Sequence, residues 1–247
     1  MQILISCAKT MGHTAASVPR ATVPRFEKEA HDAVRQILQL PAGELEAALH
    51  VNARIAAENR QRYAAFFDDA TPSVPALLAY TGIVFRYIDP ASFTADDFEY
   101  AAHHLFITSF LYGLLRPLDA IRPYRLEGNV CLPDADGPAR FDYWQPRLTQ
   151  YLIDSVKADD GVLVNLASGE MKRLFDWRRV YRELRVVKPD FKTIREGRER
   201  SVVVYTKMCR GQMTSFILRN RLTLPEELAH FEPDVAEAPV VMHLDGV

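Results

Sequence analysis

The pattern of apolar and polar positions predicts short buried strands separated by longer amphipathic helices. The run Ile3 to Ile5 is continuously apolar and rich in β-branched residues, which predicts a buried strand over Gln2 to Ser6. Gly161 to Leu166 has the same character and predicts a second buried strand. Both strands are followed by small and polar residues, so each has a defined end.

Helical spacing of apolar residues marks several other segments. It predicts a helix over Pro24 to Leu40 and, after a Pro and Gly break, a second long helix over Glu44 to Phe67. A further amphipathic helix is expected over Asp142 to Val156. The residues on its inner side are Trp144, Leu148, Leu152 and Val156.

The middle of the chain predicts a capped helix and a tight turn. Thr94 is placed to cap a helix that runs to about Leu111, with acidic residues in the first turn, where the helix dipole favours them. Gly113 and Pro117 then predict a compact turn over Leu111 to Asp119.

The late segments predict a hairpin and a short helix. Glu196-Gly197 lies between two strand-like runs, Arg185 to Phe191 and Ser201 to Thr206, which indicates a β-hairpin. Gln212 to Arg221 predicts a short helix, and Thr223 to Glu226 has capping-box spacing. Strands and helices alternate irregularly, so we expect an α+β fold with a central sheet and flanking helices, as one domain over residues 1–247.

Composition indicates a globular protein with a substantial core, because 48% of the 247 residues are hydrophobic and 25% are charged. No apolar run is long enough to cross a bilayer, and the N-terminal apolar stretch is too short for a signal peptide. We therefore expect a cytoplasmic protein without a membrane partner. Cys7, Cys131 and Cys209 are widely spaced, and we expect them to be reduced, buried thiols.

Charge is distributed unevenly along the chain. Residues 172–221 hold fifteen Lys or Arg and five acids, a net charge of +10, although the whole chain carries −2. If these cations share one face, that face attracts anions. The alternative is a solvated surface whose acids lie nearby in space.

Motifs for common nucleotide, zinc and hydrolase chemistry are absent, including the Walker A and HExxH patterns. His103 and His104 are adjacent, so they cannot face one ligand from one helix. We expect no metal site and no cofactor.

Polar and charged residues follow several strands and turns. Lys9, Ser168 and Lys207 each lie just beyond the end of a predicted strand, where mixed sheets open their binding crevices. Arginines that converge with a carboxylate such as Glu127 would bind phosphate, although a structural salt-bridge network explains them equally well.

The same segments resemble the YaaA family of bacterial peroxide-stress proteins, also called DUF328 or UPF0246. The family motifs correspond here to Ser6-Cys-Ala-Lys-Thr10, Leu111 to Asp119, Pro123 to Glu127, Asn165 to Ser168, Lys207 to Met213 and Asn220-Arg-Leu222. They occur in order over nearly the whole chain. Cys7 stands where the family has proline, which places a thiol beside Lys9 that is either redox-sensitive or inert and buried.

The resemblance implies a compact α+β domain with a positively charged cleft and a helix-hairpin-helix-like element. We expect that element at Ser109 through Asp119. The resemblance also implies double-stranded DNA binding and a role in limiting oxidative damage when peroxide meets intracellular iron.

The leading hypothesis is therefore DNA binding through phosphate contacts, without base readout. The candidate cations are Lys9, Arg116, Arg122, Arg125, Lys207, Arg210, Arg219 and Arg221. Direct iron sequestration is a weaker hypothesis, because the sequence shows no clustered iron ligands.

The main alternative is an enzyme that acts on a small anionic or purine-like substrate. Its candidate catalytic residues are Lys9, Glu127, Ser168, Lys207 and Arg210, which include a nucleophile, an acid or base, and anion stabilisers. Replacing Glu127 with Gln should cripple such an enzyme and spare DNA binding. The sequence leaves both hypotheses open.

Overall fold

The computed structural model describes residues 1–132, 138–235 and 239–246. The expected domain 1–247 thus includes residues 133–137, 236–238 and 247, which lie outside the described residues. The strands are β1 (Gln2–Ile5), β2 (Val74–Pro75), β3 (Leu105–Ser109), β4 (Gly113–Leu115), β5 (Ala120–Ile121), β6 (Val162–Asn165), β7 (Arg185–Arg195), β8 (Arg198–Arg200) and β9 (Val240–Asp245).

The helices in these residues are α1 (Glu27–Gln39), α2 (Ala42–Leu49), α3 (Ala53–Ala64), α4 (Ala76–Ala79), α5 (Ile83–Ile88), α6 (Ala95–His104), α7 (Arg140–Lys157), α8 (Trp177–Glu183) and α9 (Val203–Asn220). Short 3-10 helices cover Pro90–Ser92, Gly169–Leu174 and Pro225–His230.

The central sheet has the strand order β4-β3-β1-β6-β7-β8, and β9 also pairs with β7. Its four middle strands, β3, β1, β6 and β7, are parallel, whereas β4, β8 and β9 are antiparallel to their neighbours. All four residues of β1 are buried, which requires both faces of the strand to be covered. The sheet and its helices form one mixed domain, which confirms the expected α+β class.

Several predicted elements are confirmed. The strands expected at 2–6 and 161–166 are β1 and β6, and the helix expected at 142–156 is α7. The four residues assigned to the inner side of α7 are all fully buried. The indole N–H of Trp144 donates a hydrogen bond to the Phe110 carbonyl oxygen at 2.8 Å, so this helix is fixed to the β3–β4 turn.

The single long helix expected over 44–67 is wrong, because the structure has two helices there. His50 ends α2 in the left-handed region at φ 52°. Asn52 then caps α3, and its side-chain oxygen accepts a hydrogen bond from the Ile55 N–H at 3.0 Å. The left-handed residue and the new cap redirect the chain.

The helix that Thr94 caps is shorter than predicted. The capping box is present, since Thr94 and Asp97 exchange hydrogen bonds, but α6 ends at His104. The next five residues form the fully buried strand β3, which pairs with β1. A short apolar run fits a helix or a strand by its pattern alone, and pairing with β1 decides the outcome here.

The segment Ser109 to Asp119 does not form the expected helix-hairpin-helix element. It contains the turn between β3 and β4 and then β4 itself, so strands lie on both sides of the turn. The turn predicted at Leu111 to Asp119 is confirmed at its start, but its middle is the short strand β4.

The hairpin turn at Glu196-Gly197 is confirmed, whereas its second strand was misplaced. That strand is β8, and residues 203–206, which were expected to be a strand, begin α9. The short helix expected at 212–221 is the second half of α9. After α9, the Glu227 carboxylate rather than Glu226 accepts hydrogen bonds from the Thr223 and Leu224 N–H groups at 3.0 and 2.8 Å.

Replacing Gly113 with Ala tests how tightly α7 is packed against the sheet. Gly113 has φ +73°, and an added Cβ would lie 2.8 Å from the Trp144 ring. We expect G113A to lower the free energy of unfolding by about 3 kcal/mol, from backbone strain together with overpacking. The measurement is urea denaturation followed by circular dichroism.

Gly161 provides the matched control, because it has φ +79° and open space around its Cβ position. G161A should cost only the backbone strain, about 1 kcal/mol. Equal losses in the two variants would contradict tight packing at Gly113.

Candidate functional site

A cavity of about 310 Å³ lies at the carboxyl ends of β1 and β6. In the sheet, β1 has β3 on one side and β6, followed by β7, on the other side. Ligands of open parallel sheets bind where strand order reverses in this way, outside the carboxyl ends of the strands. The polar and charged residues that line the cavity are Ser6, Lys9, Thr10, Ser168, Glu170, Lys207 and Arg210.

Two glycines allow the walls of the cavity to approach one another. A Cβ on Gly82 would lie 2.7 Å from the Cβ of Ala8, and a Cβ on Gly211 would lie 2.3 Å from the Val84 carbonyl oxygen. The absence of a side chain at Gly82 lets the start of α5 lie against the loop after β1, and its absence at Gly211 lets α9 pack closely against α5. This contact places Lys207 and Arg210, on the turns that end at Gly211, against the loop that follows β1.

Ser6 and Ser168 join the two strand ends. The Ser168 N–H donates to the Ser6 Oγ at 2.8 Å, and the Ser6 hydroxyl donates to the Ser168 Oγ at 3.2 Å. Ser6 thereby occupies an acceptor position of the Ser168 oxygen. The Ser168 hydroxyl proton remains available to a molecule in the cavity.

Glu127 links Lys9 to Arg125 at the edge of the cavity. Its carboxylate accepts hydrogen bonds from Lys9 at 3.0 Å and from Arg125 at 2.6 Å. Burial opposes ionisation of Glu127, but the hydrogen bonds from Lys9 and Arg125 outweigh burial and hold the pKa of the carboxyl below its ordinary value. Glu127 is therefore an anion at neutral pH. Arg125 and Glu127 line a smaller cleft that shares Lys9 and Glu170 with the main cavity.

Lys207 and Arg210 reach the cavity from α9 without a carboxylate partner among the described residues. They are three residues apart, so they lie on the same face of the helix. The Arg210 Nε is buried and has no hydrogen-bond partner within the described part of the chain. Burial lowers the pKa of the Arg210 guanidinium, and nearby Asp190 offsets the effect only in part.

The remaining wall is apolar and includes the thiol of Cys7. Phe85, Leu166 and Met171 are buried side chains that line the cavity. Burial raises the pKa of the Cys7 thiol to about 12, although a hydrogen bond with Thr108 acts in the opposite direction. The thiol is thus protonated at neutral pH and a poor nucleophile, which favours the inert alternative for Cys7.

The other two cysteines differ in exposure. Cys209 is buried, as expected, and burial raises the pKa of its thiol to about 11. Cys131 is exposed and Cys7 is partly exposed as a residue, so the expectation that all three cysteines are buried is confirmed for Cys209 alone. Cys131 lies in a loop, where its backbone forms an isolated antiparallel β-bridge with Ala139.

Four of the eight cations predicted to bind an anion lie together. Lys9, Lys207 and Arg210 line the cavity, and Arg125 lines the adjoining cleft. The five residues predicted for catalysis also meet there, since Ser168 lines the cavity and Glu127 bonds to Lys9.

The structure does not bring Arg116 and Arg122 into this site. Arg116 donates to the Gln2 side chain at 2.9 Å and stacks 3.5 Å from the Phe106 ring centre, near the amino ends of β1 and β3. Arg122 donates to the carbonyl oxygen of Thr71 at 3.3 Å. Both guanidinium groups hold the fold together.

Arg219 and Arg221 also lie apart from the cavity. Arg219 is twelve residues beyond Lys207 on α9, which is about 18 Å along the axis of a helix. It contacts Ser92 and the Phe93 ring. Arg221 forms an ion pair with Asp97 at 2.8 Å. The sequence could not reveal these partners, because they come from distant segments.

The basic segment 172–221 is partly neutralised by nearby acids. Its ion pairs include Arg173 with Asp142, Arg179 with Glu183, Arg185 with Glu226 and Lys192 with Asp190. Acids that lie nearby in space therefore offset part of the +10 charge of this segment.

Sequence reasoning missed several cavity residues. Glu170 comes two residues after the motif Asn165 to Ser168, but nothing in the sequence indicates that its side chain lines the cavity. The apolar wall from α5 was also missed, because nothing in the sequence of Ile83 to Phe85 indicates which surface it faces. Ser6 could have been found from the sequence, because a serine lies at or just beyond the end of each of the two predicted buried strands, Ser6 for the first and Ser168 for the second.

Within the described ranges, His, Cys, Asp and Glu side chains form no group of three or more that could hold a metal ion. None of the helices described there has the length and apolarity needed to span a bilayer.

Comparison with known proteins gives matches over almost the whole chain. A family model described as peroxide stress protein YaaA matches residues 1–235. A UPF0246 protein of Bacteroides thetaiotaomicron is 54% identical over 232 residues, 94% of this chain and 90% of the relative. A UPF0246 protein of Phocaeicola vulgatus is 51% identical over 233 residues, 94% of this chain and 91% of the relative. One of Porphyromonas gingivalis is 46% identical over 237 residues, 95% of this chain and 93% of the relative.

Thiol reactivity tests the environment of Cys7. We expect one thiol per folded chain, Cys131, to react promptly with Ellman's reagent at pH 7.5, because Cys131 is exposed and Cys7 and Cys209 have raised pKa values. C131S should abolish this fast phase, and guanidinium chloride should restore reaction of the other two thiols. A fast phase that persists in C131S would show that Cys7 is reactive.

The pH dependence of stability tests the link through Glu127. A carboxyl with a lowered pKa stabilises the fold above its ordinary pKa of 4.5, and this contribution is lost as pH falls through the folded pKa. E127Q should lower the free energy of unfolding by about 1 kcal/mol at pH 7, since Lys9 is well exposed and its ion pair is screened. The difference between E127Q and wild type should shrink below pH 4.5. A difference that is constant from pH 7 to pH 3 would argue against the ion pair.

Proposed function

Because this chain belongs to the peroxide stress protein YaaA family, we propose that it serves the peroxide response by binding a small anionic molecule in its cation-lined cavity. The observation that carries this proposal is the convergence of Lys9, Lys207 and Arg210 on one concave site of about 310 Å³. These residues come from segments that are about two hundred positions apart in the sequence.

The dimensions of the site favour a small molecule over a polymer. Pockets for small ligands have volumes of roughly 300–1,000 Å³, and this cavity lies at the lower limit of that range. A duplex needs a wide surface, since specific protein–DNA interfaces bury about 1,000–2,500 Å² of protein. Four of the eight cations predicted to bind DNA are instead bound to carbonyl, hydroxyl or carboxylate groups elsewhere in the fold. They are Arg116, Arg122, Arg219 and Arg221.

The cavity and its adjoining cleft hold the groups that an enzyme acting on such an anion requires. Ser168 supplies a hydroxyl and Lys9 an ammonium group in the cavity, and Glu127 in the adjoining cleft supplies an ionised carboxylate that binds Lys9. Because the lowered pKa keeps Glu127 ionised, its role in such a reaction is to accept or position a proton rather than to donate one. Catalysis on the bound anion is therefore an extension of the binding proposal.

Binding of double-stranded DNA is a second candidate function, and the β7–β8 hairpin favours it. Arg195, Arg198 and Arg200 are exposed on this two-stranded ribbon, and none of them has a carboxylate partner within 4.0 Å among the described residues. Two-stranded ribbons fit the major groove of DNA. Contacts of this kind would shield DNA from iron-dependent oxidation, which would also serve a peroxide response.

Anion binding and DNA binding can be separated with single variants of the full chain. We expect inorganic phosphate and citrate at millimolar concentration to raise the melting temperature of the wild type, because an anion that binds only the folded state stabilises it. R210Q should lose this shift. R219Q, a control on the same helix outside the cavity, and R198Q, a control in the hairpin, should retain it.

Duplex binding is measured in parallel by fluorescence anisotropy of a labelled oligonucleotide between 50 and 200 mM salt. The proposal predicts weak duplex binding that R210Q leaves unchanged. DNA binding replaces the cavity proposal if neither anion stabilises the wild type and the duplex binds tightly. In that case the affinity for the duplex should fall steeply with salt and depend on Arg198.

A further inference from the structure

We infer that the ligand of this cavity is a phosphomonoester of a compact ring compound, with the phosphate at Lys207 and Arg210 and hydrogen-bond donors on the side that adjoins the smaller cleft. This inference rests on the proposed anion-binding function and specifies its ligand class. It follows from how charge and apolar surface are distributed around the cavity.

The α9 side of the cavity provides the phosphate position. Lys207 and Arg210 are the cavity cations that have no carboxylate partner among the described residues, whereas Lys9 is already paired with Glu127. The Arg210 Nε is buried and unpaired within the described ranges. A buried guanidinium donor without a partner is costly, and a phosphate accepts from guanidinium and ammonium groups together. The Arg125 Nε in the adjoining cleft is unpaired in the same way, but that guanidinium already binds Glu127. An incoming oxyanion therefore gains most beside Lys207 and Arg210.

Charge balance favours a doubly charged anion. The cavity and its adjoining cleft contain four cations, Lys9, Arg125, Lys207 and Arg210, and two carboxylates, Glu127 and Glu170. The net charge of these groups is +2. A phosphomonoester carries about −1.5 to −2 at pH 7, so it matches this charge better than a single carboxylate does.

The apolar wall favours a ring attached to the phosphate. Val84, Phe85, Leu166 and Met171 contribute side chains to the cavity. Inorganic phosphate alone would leave this wall in contact with water, whereas a ring would cover it. The volume of about 310 Å³ limits the ligand to a small molecule with a single phosphate, about the size of a mononucleotide.

The side of the cavity that adjoins the smaller cleft is rich in acceptors. Glu170 lines the cavity and the adjoining cleft and has no ion-pair partner among the residues described. Glu127 lies beyond it, bound to Lys9. Carboxylates bind amino or hydroxyl donors of a ligand, so a ring with an exocyclic amine fits this side. A nucleoside monophosphate with an amino-bearing base combines all of these features.

The test is isothermal titration calorimetry of the full chain with four probes at constant ionic strength. Adenosine 5′-monophosphate has the phosphate, the ring and the amine. Adenosine lacks the phosphate, ribose 5-phosphate lacks the base, and citrate is an anion without phosphate. We expect the monophosphate to bind roughly tenfold or more tightly than any of the other three, since each lacks one of the matched groups.

Variants assign the contacts of the monophosphate. K207Q and R210Q should each weaken its binding by roughly tenfold or more, because each removes a charge-assisted hydrogen bond to phosphate. R219Q is the matched control on α9 and should bind like the wild type. E170Q should weaken the monophosphate but leave ribose 5-phosphate unchanged. Circular dichroism of each variant shows whether it has folded.

The possible outcomes separate this inference from the proposed function. Adenosine that binds as tightly as its monophosphate would overturn the phosphate position. Citrate that binds through Arg210 while the monophosphate does not would leave anion binding standing and reject the phosphomonoester. If no probe binds the folded protein, both proposals fail.

Discussion

The pairing of β1 with β3 on one side and with β6 on the other fixes where the cation-lined cavity of this molecule lies. Adjacent parallel strands bring their carboxyl ends to one edge of the sheet, and the reversal of strand order leaves a crevice there. The loops after β1 and β6 carry Ser6, Lys9 and Ser168 into that crevice. Burial of every residue of β1 holds this arrangement, since the strand has neighbours in all directions.

The close contact between α5 and α9 completes the site. Gly211 allows the two helices to approach until no Cβ could fit between them, and the preceding turns of α9 then present Lys207 and Arg210 to the crevice. Without this contact the site would have a carboxylate-paired lysine and two serines, but no unpaired cation. A close helix contact therefore decides the electrostatic character of the cavity, and a net charge calculated over the whole chain does not show it.

Arginine side chains have two different environments in this fold. Arg210 is buried with an unsatisfied donor at the cavity, whereas Arg116 is held by the Gln2 side chain and an aromatic ring. A guanidinium group that already has partners contributes to stability and offers little to a ligand, because its donors are occupied. This distinction explains why only a few of the thirty Lys and Arg residues of the chain line the cavity with free donors.

Local pattern alone determined the buried strands β1 and β6, the capping box at Thr94, the amphipathic helix α7, and the position of Lys9 and Ser168 at strand ends. These features depend on neighbours within a few residues. The strand identity of Leu105–Ser109, the start of α9 at Val203 and the partners of the arginines were decided by contacts with segments far away in the sequence. The apolar run at 105–109 fits a helix or a strand by its pattern, and pairing with β1 decides between them. Whether an arginine is held in the fold or keeps free donors likewise depends on partners from distant segments.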